Sequence, residues 1–344
     1  MESAPRRATI VDVGRRAGVS AKTVSRVLNG EPHVSAAVQQ RVRDAAEALH
    51  YHPNMLARAL VRQRSMLLGL VYENPSASYV VELQRGMLTR LANGPYRLVV
   101  FPIASIIERS GEVAGLLRSA GLDGVVLAPP AADDLRILND LAAAGIRCAR
   151  IGPSRGIELA PSNLVDDITA AREVAAHVIA LGHRQVGIIK GLASHAASEA
   201  RAMGYSQAFF AAGVPMRLDL VEQGDFTQES GHAAAHRLLA RPDAPTAILA
   251  QNDDMAVGAL LAARERGLTV PDDLTLAGFD DSEISRVCWP PLTTVRQPVF
   301  DMAVEATDMV IAQLEGRKAT ARQDHAHQLL VRASSAPPRP AGVG

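Results

Sequence analysis

Apolar residues recur at helical spacing through the first fifty positions. Ile10, Val13 and Ala17 share one face, Val24, Val27 and Leu28 a second, and Val38, Val42, Ala45, Ala46 and Leu49 a third. Polar residues punctuate the three stretches. Thr9 with Asp12 three residues on has the form of a capping box. Gly18-Val19 closes the first helix, Ser20 caps the second, Asn29-Gly30 and Pro32 end it, Ser35 opens the third and Pro53 stops it. From Met66 onward the pattern changes. Short apolar runs at Leu67–Tyr72, Leu98–Phe101, Val125–Leu127, Cys148–Ile151, Val186–Ile189, Ala247–Ala250 and Thr275–Phe279 predict strands. Between them Val80–Ala92, Glu112–Ser119, Leu135–Ala144, Ala170–Leu181, Ser198–Ala212, Gln228–Leu239 and Met255–Arg266 predict helices. Such alternation specifies parallel sheet with helices on both faces, and the number of units favours two Rossmann-like lobes over one sheet. Residues 334–344, rich in Ser, Pro and Gly, are expected to be a disordered tail.

Two short helices joined by a glycine-containing turn form a helix-turn-helix pattern, whose second helix can enter the major groove of DNA. Its first exposed side chains would be Ala21, Lys22, Ser25 and Arg26. Lys and Arg suit the acceptors of guanine, and an alanine suits a thymine methyl. By pattern alone, a three-helix bundle with charged faces in water fits nearly as well. Charge sharpens the choice. The 344 residues are neutral overall, yet residues 1–65 hold 11 Lys and Arg against 5 acids and the remainder 25 against 31. A basic head of +6 on an acidic body of −6 suits one module that meets a polyanion and one that does not.

The residues themselves carry more. The run from Ala8 to Leu60, with T-I-x-D-V, the A-G-V-S turn, T-V-S-R-V-L-N, H-V-S and L-x-Y-x-P-N-x-x-A-R-x-L, closely resembles the head of the LacI/GalR (lactose-repressor) family of bacterial transcription regulators. The resemblance implies a helix-turn-helix domain over 1–53 and a hinge helix over 54–64. It implies DNA contacts from Thr9, Ser20, Ala21, Lys22, Thr23, Ser25, Arg26, Asn29 and His33, and from Asn54, Ala57 and Leu60 of the hinge, with Leu60 the minor-groove wedge. The implied partner is double-stranded DNA bearing a pseudo-palindromic operator, bound by a homodimer. Gly14 departs from the family's usual alanine and is expected to soften the first helix slightly.

The likeness continues to Ala333 through "LGHRQVGIIKG", "GYSQAF", "GDFTQESG", "PTAILAQNDDMAVGAL" and "PPLTTVRQP". These are similar to the family's effector-binding core, itself similar to periplasmic sugar-binding proteins, and imply a two-lobed effector and dimerisation domain over 65–333. Ligands of open α/β sheets bind beyond the carboxyl ends of strands. Asn74, Asn252 and Asp280 stand at such ends and Arg201 opens a following helix, though each residue type also suits a cap or turn. The resemblance implies that Arg201, Asn252 and Asp280 bind ligand polar groups and that Phe226 covers the ligand's face. Carboxylates, an arginine fork and an aromatic platform suit a carbohydrate. Ala128-Pro129-Pro130 and Gly152-Pro153 stand where relatives place polar contacts, so the first lobe is expected to work through Asn74, Tyr79 and shape. A purine- or other metabolite-responsive, corepressed regulator of the same family is the alternative.

Other classes find little footing. The chain lacks GxGxxG after its first strand, GxxxxGK[ST], HExxH and GxSxG, so neither an enzyme nor a bound cofactor is expected. His232 and His236, at helical i,i+4 spacing, could bind a metal, but with no acidic or histidine partner expected near them they read as surface histidines. There is no apolar run of about 18 residues to span a membrane and no apolar stretch behind the N-terminal arginines, so a cytoplasmic location is expected. Cys148 and Cys288, in no metal-like spacing, are expected to be reduced thiols.

Overall fold

A computed structural model describes residues 8–28, 34–51, 64–73 and 76–339. The chain divides into two compact units, Met1–Met66 and Leu67–Gly344.

The first unit holds α1 (Ile10–Ala17), α2 (Ala21–Leu28) and α3 (Ala36–Ala48). The capping box at Thr9 forms as the spacing predicts: its backbone N–H donates to Asp12 Oδ2 at 2.9 Å, and its Oγ1 accepts from the Asp12 N–H at 3.3 Å. Gly18 takes the left-handed conformation at φ 68° that ends α1. Ser20 Oγ accepts from the Thr23 N–H at 3.1 Å at the start of α2. Val13, Ala17, Val24, Val27, Val42, Ala45 and Ala46 form the core of this unit. Gly14 has a packing role that its helix propensity hides. A Cβ there would stand 2.8 Å from the Val19 carbonyl oxygen, so the turn lies close against the helix.

The second unit has two parallel sheets. The first lobe orders its strands β2 (Arg97–Pro102), β1 (Leu67–Tyr72), β3 (Gly124–Leu127), β4 (Arg147–Ile151), β5 (Ser162–Val165) and β11 (Arg322–His325), all parallel. Its helices include α4 (Ala77–Leu91), α5 (Ile106–Ser119) and α6 (Leu135–Ala143). The second lobe orders β7 (Val221–Gln223), β6 (Val186–Lys190), β8 (Ala247–Ala250) and β9 (Thr275–Ala277), also parallel. Around them lie α7 (Asp167–Ala180), α8 (Ala196–Ala211), α9 (Gln228–Leu239), α10 (Asp253–Glu265) and α11 (Glu283–Val287). An antiparallel pair, β10 (Thr294–Arg296) and β12 (Gln328–Leu330), completes this side.

The chain crosses between lobes after β5, after β10 and after β11. The second crossing leads into α12 (Val299–Leu314), which packs on α4 and β4 of the first lobe. The seven predicted strands and seven predicted helices all form, within a few residues at their ends except that the helix expected over Glu112–Ser119 begins six residues earlier, at Ile106. Sequence reasoning did not mark β5, β7, β10, β11, β12, α11 or α12. The strands are only three or four residues long; α12 does show a face, with Met302, Ala303, Ala306, Met309 and Val310 buried at helical spacing and Asp301 exposed, and was overlooked.

The expected disordered tail is corrected over its described part. Ser334 is fully buried, exchanges hydrogen bonds with the Leu276 backbone and donates its Oγ to Leu276 O at 2.6 Å. Thr275 Oγ1 donates to Ala336 O at 2.9 Å. The segment lacks core-forming side chains, but it satisfies the edge of β9 through its backbone. No helix among the described residues is long and apolar enough to cross a membrane.

Candidate functional site

In the first unit, Lys22 and Arg26 stand exposed one turn apart on α2, opposite the buried Val24 and Val27. Ala21, Thr23 and Ser25 are half-buried beside them. Ser20 is exposed, with its hydroxyl engaged as the helix cap, and Thr9 is half-buried with its own in the capping box. Asn29, His33, Asn54, Ala57 and Leu60 lie outside the described residues.

In the second unit, a cavity of about 580 Å³, counting its open mouth, lies between the carboxyl ends of the two sheets. That is within the usual range for small-molecule sites. The second lobe supplies its polar wall, centred on Arg201. This side chain is 5% exposed and its ring-side face lies 3.8 Å from the centre of the Phe279 ring. Arg201 Nε donates to Asp167 Oδ1 at 2.8 Å, and Nη1 donates to the Gln251 carbonyl. Nη2 stands 3.7 Å from Asp280 Oδ1, beyond hydrogen-bond length. Asp280 projects from a backbone at φ 110° just after β9, and Gln297 Nε2 donates to its Oδ1 at 2.7 Å.

Asn252 is buried at the end of β8, where its amide already serves the fold. Its Oδ1 accepts from the Met255 N–H at 3.0 Å and its Nδ2 donates to Phe226 O at 2.9 Å. The cap role that its residue type allows is thus realised, and it also fixes the loop bearing Phe226. That phenylalanine, at φ 72°, lies against the backbone of Gly191, where a Cβ would fall 2.0 Å from the ring. His195 meets the Phe226 ring at 5.3 Å between centroids, and its Nε2 is buried with no hydrogen-bond partner among the described residues.

The first lobe contributes Ser76, Tyr79, Pro129, Gly152, Val165 and Met302. This wall is largely apolar, with Tyr79 on the first turn of α4. Asn74 lies outside the described residues. Ser78 Oγ, also on α4, donates to Asp254 Oδ1 of α10 at 3.1 Å, a hydrogen bond from one lobe to the other. Burial governs the titration of the site. It pushes Asp280 up to about 7 against the opposing pull of Arg201, and pushes Asp253, also facing the Asp280 charge, up to about 8. His195 is pushed down to about 4 by burial and by the nearby Arg201 charge. The Tyr79 hydroxyl is held protonated, mainly by burial.

Residues 9–54 match the profile of the lacI family of bacterial regulatory proteins, and residues 175–335 match a periplasmic binding protein-like domain. The transcriptional regulator DegA of Bacillus subtilis (strain 168) is 33% identical over 332 residues, which is 96% of this chain and 98% of DegA. The chain belongs to the lacI family of bacterial regulatory proteins. Among solved structures of lacI-type regulators, the lac repressor dimer bound to operator and an anti-inducer superposes with a TM-score of 0.83 at 27% identity, covering 96% of this chain and all of that one. A complex of the regulator CelR with cellobiose gives a TM-score of 0.71 at 30% identity with the same coverage.

On this lacI-type scaffold the structure gathers Tyr79, Arg201, Phe226, Asn252 and Asp280 around one cavity. Sequence reasoning missed Asp167, His195 and Gln297. All three sit at crossovers or loops just past short strands, where only the three-dimensional path brings them to Arg201 and Asp280. It also missed an acidic partner for His232 and His236. Glu265, at the end of α10, has its Oε2 at 2.9 Å from His232 Nε2 and 2.7 Å from His236 Nε2. The expectation that no acid lies near these histidines is corrected, because helix packing closes a gap of about thirty residues.

Proposed function

We propose that the chain is a cytoplasmic, non-enzymatic repressor that binds operator DNA as a homodimer and releases it on binding a carbohydrate. The head over 1–53 reads each half-site through α2, the hinge over 54–64 occupies the central minor groove, and residues 65–333 hold the ligand. Ser20, Ala21, Lys22, Thr23, Ser25 and Arg26 contact DNA, with Arg26 reading a guanine. Asn74, Tyr79, Arg201, Phe226, Asn252 and Asp280 surround the ligand.

The observation that carries the ligand class is the array Asp167–Arg201–Asp280 beside Phe226. The 3.7 Å gap between Arg201 Nη2 and Asp280 Oδ1 admits a ligand hydroxyl that accepts from one and donates to the other. The apolar face of a sugar ring then meets Phe226. Ligand controls DNA only through its unequal affinity for the two lobe arrangements. The relatives solved with cellobiose and with an anti-inducer support this reading.

A thermal-shift screen of the full chain against sugars, glycosides and purines tests it. The expected result is a sugar or glycoside that raises the melting temperature and weakens binding to a palindromic site selected from random duplexes. Removing residues 1–64 abolishes DNA binding, and Arg26→Ala relaxes base choice at one position at a cost of about 1–3 kcal/mol. A purine that alone shifts the melting temperature and tightens DNA binding would replace this reading with the corepressed one.

A further inference from the structure

The tightest cluster of metal-ligating side chains outside the cleft is on the outer face of the second lobe. His232 and His236, one turn apart on α9, aim their Nε2 atoms at a single oxygen, Oε2 of Glu265, from α10. The three ligand atoms all fall within 4.8 Å of one another. The two imidazoles meet edge to face at 4.5 Å between centroids.

The helices that carry them are held at backbone contact by glycines. A Cβ on Gly231 would stand 2.3 Å from the Met255 carbonyl oxygen, and one on Gly258 would stand 2.1 Å from the Gln228 carbonyl oxygen. Only glycine fits at either point, so the spacing between α9 and α10 is fixed by the fold. Arg266 adds a further tie, donating through Nη2 to His236 O at 3.0 Å. The cluster is therefore preorganised on rigid elements. It is also open to solvent, the three side chains being 34%, 35% and 56% exposed.

We propose that His232, His236 and Glu265 form a binding site for a divalent transition-metal ion of the zinc type, clipping α9 to α10. Two imidazole nitrogens and a carboxylate oxygen are a borderline donor set that suits such an ion better than magnesium or calcium. Zinc holds these ligands at about 2.0–2.2 Å, which sets neighbouring ligand atoms about 3.4 Å apart around a tetrahedron. The distances of 2.7 and 2.9 Å need to open by about 0.5–0.7 Å to reach this, within reach of partly exposed side chains. Each imidazole ligates through Nε2 as the neutral ring, with its one proton on Nδ1. Three protein ligands leave a fourth position for water.

The test is calorimetric titration of zinc chloride into the full, tag-free, metal-stripped chain, beside His236→Ala and Glu265→Gln. The expected result is one zinc site per chain whose affinity falls at least tenfold in each variant, with magnesium chloride giving no heat at matched concentration. Zinc should raise the melting temperature of the unaltered chain and not of the variants. Equal metal-free melting temperatures will show that the variants fold alike; should one not, His232→Ala takes its place. Absence of zinc binding, or binding unchanged in the variants, would overturn the proposal.

Discussion

The two lobes of the larger unit each bury an arginine and put it to opposite use. Arg150 in β4 is fully buried and donates to four neutral oxygens: Ser162 Oγ at 3.2 Å and the carbonyls of Ala132, Arg155 and Gly156 at 3.0, 3.1 and 2.6 Å. Its charge meets no carboxylate within ion-pair distance among the described residues, and burial lowers its basicity. Arg201 in the second lobe is nearly as buried, but Asp167 and Asp280 flank it, and their charges outweigh the effect of burial on its basicity. The first arginine gathers the loops behind an apolar cleft wall. The second keeps capacity facing the cavity. A buried polar network whose members are consumed by the fold rigidifies it, whereas one with capacity left over meets a ligand.

Severing the first network should have the largest effect. Arg150→Met keeps most of the side-chain volume and leaves three carbonyls and a hydroxyl without their donor. Urea denaturation should show a loss of about 3–5 kcal/mol. Ligand affinity of the protein that remains folded should stay within about threefold, under 1 kcal/mol. A variant that folds normally yet loses ligand would reverse the roles assigned to the two arginines.

Arg201→Lys comes next and should divide the other way. The charge between Asp167 and Asp280 remains, but a point charge cannot serve Asp167, the Gln251 carbonyl and a ligand together. Calorimetry with the ligand found by thermal shift should show affinity lower by about 10–100-fold, the worth of a charged hydrogen bond at 1.5–3 kcal/mol. Operator binding without ligand should persist.

The same contrast explains what could be read ahead of the structure. The polar wall was legible at Arg201, Asn252 and Asp280, because motif likeness and the ends of predicted strands marked them. Asp167 and Gln297 were not, since they lie where the chain crosses between lobes, and such crossings leave no periodic signal. The apolar wall was legible as a departure: Pro129 and Gly152 line the cavity where polar contacts were missing from the sequence. Arg150 passed unnoticed, as an arginine within a strand says nothing of four acceptors brought from two loops and from β5. The head lay at the other extreme. Its caps, turn and core are all within four residues of one another or on three adjacent helices, and local chemistry specifies them.

Titration sharpens the comparison by a smaller margin. Asp280 at about 7 and Asp253 at about 8 both stand above their unfolded values. Between pH 6.5 and 8 the folded state therefore binds more protons than the unfolded one, and stability falls as pH rises. Below pH 6.5 the depressed His195 opposes this, since the unfolded chain then takes up a proton that the buried ring refuses. Melting temperature without ligand should decline from pH 6.5 to 8, and Asp280→Asn should flatten part of the slope. Ligand affinity should run the other way, increasing as the Asp280 carboxylate forms. Affinity independent of pH across this window would show that ligand binding does not depend on the Asp280 charge, and affinity that falls as pH rises would show that the protonated form binds.

The smallest effect concerns how the two walls are held together. Ser78 Oγ donates to Asp254 Oδ1 across the cleft, joining α4 of the apolar lobe to α10 of the polar one. Burial raises the Asp254 pKa while this bond opposes it, so the carboxylate depends partly on the serine. Ser78→Ala removes the bond and little volume. If the bond belongs only to the closed arrangement of the lobes, its loss makes closure harder by about 0.5–1.5 kcal/mol, the net worth of one hydrogen bond. Ligand affinity should then fall about three- to tenfold at unchanged stoichiometry, because ligand must supply that energy in closing the cleft. The melting temperature without ligand would fall only as far as the closed state is populated without it. Equal affinity in the alanine variant would mean that the bond survives in both arrangements and takes no part in the switch. Asp254→Asn separates bond from charge: the amide can still accept from Ser78, so its affinity should lie nearer that of the unaltered chain.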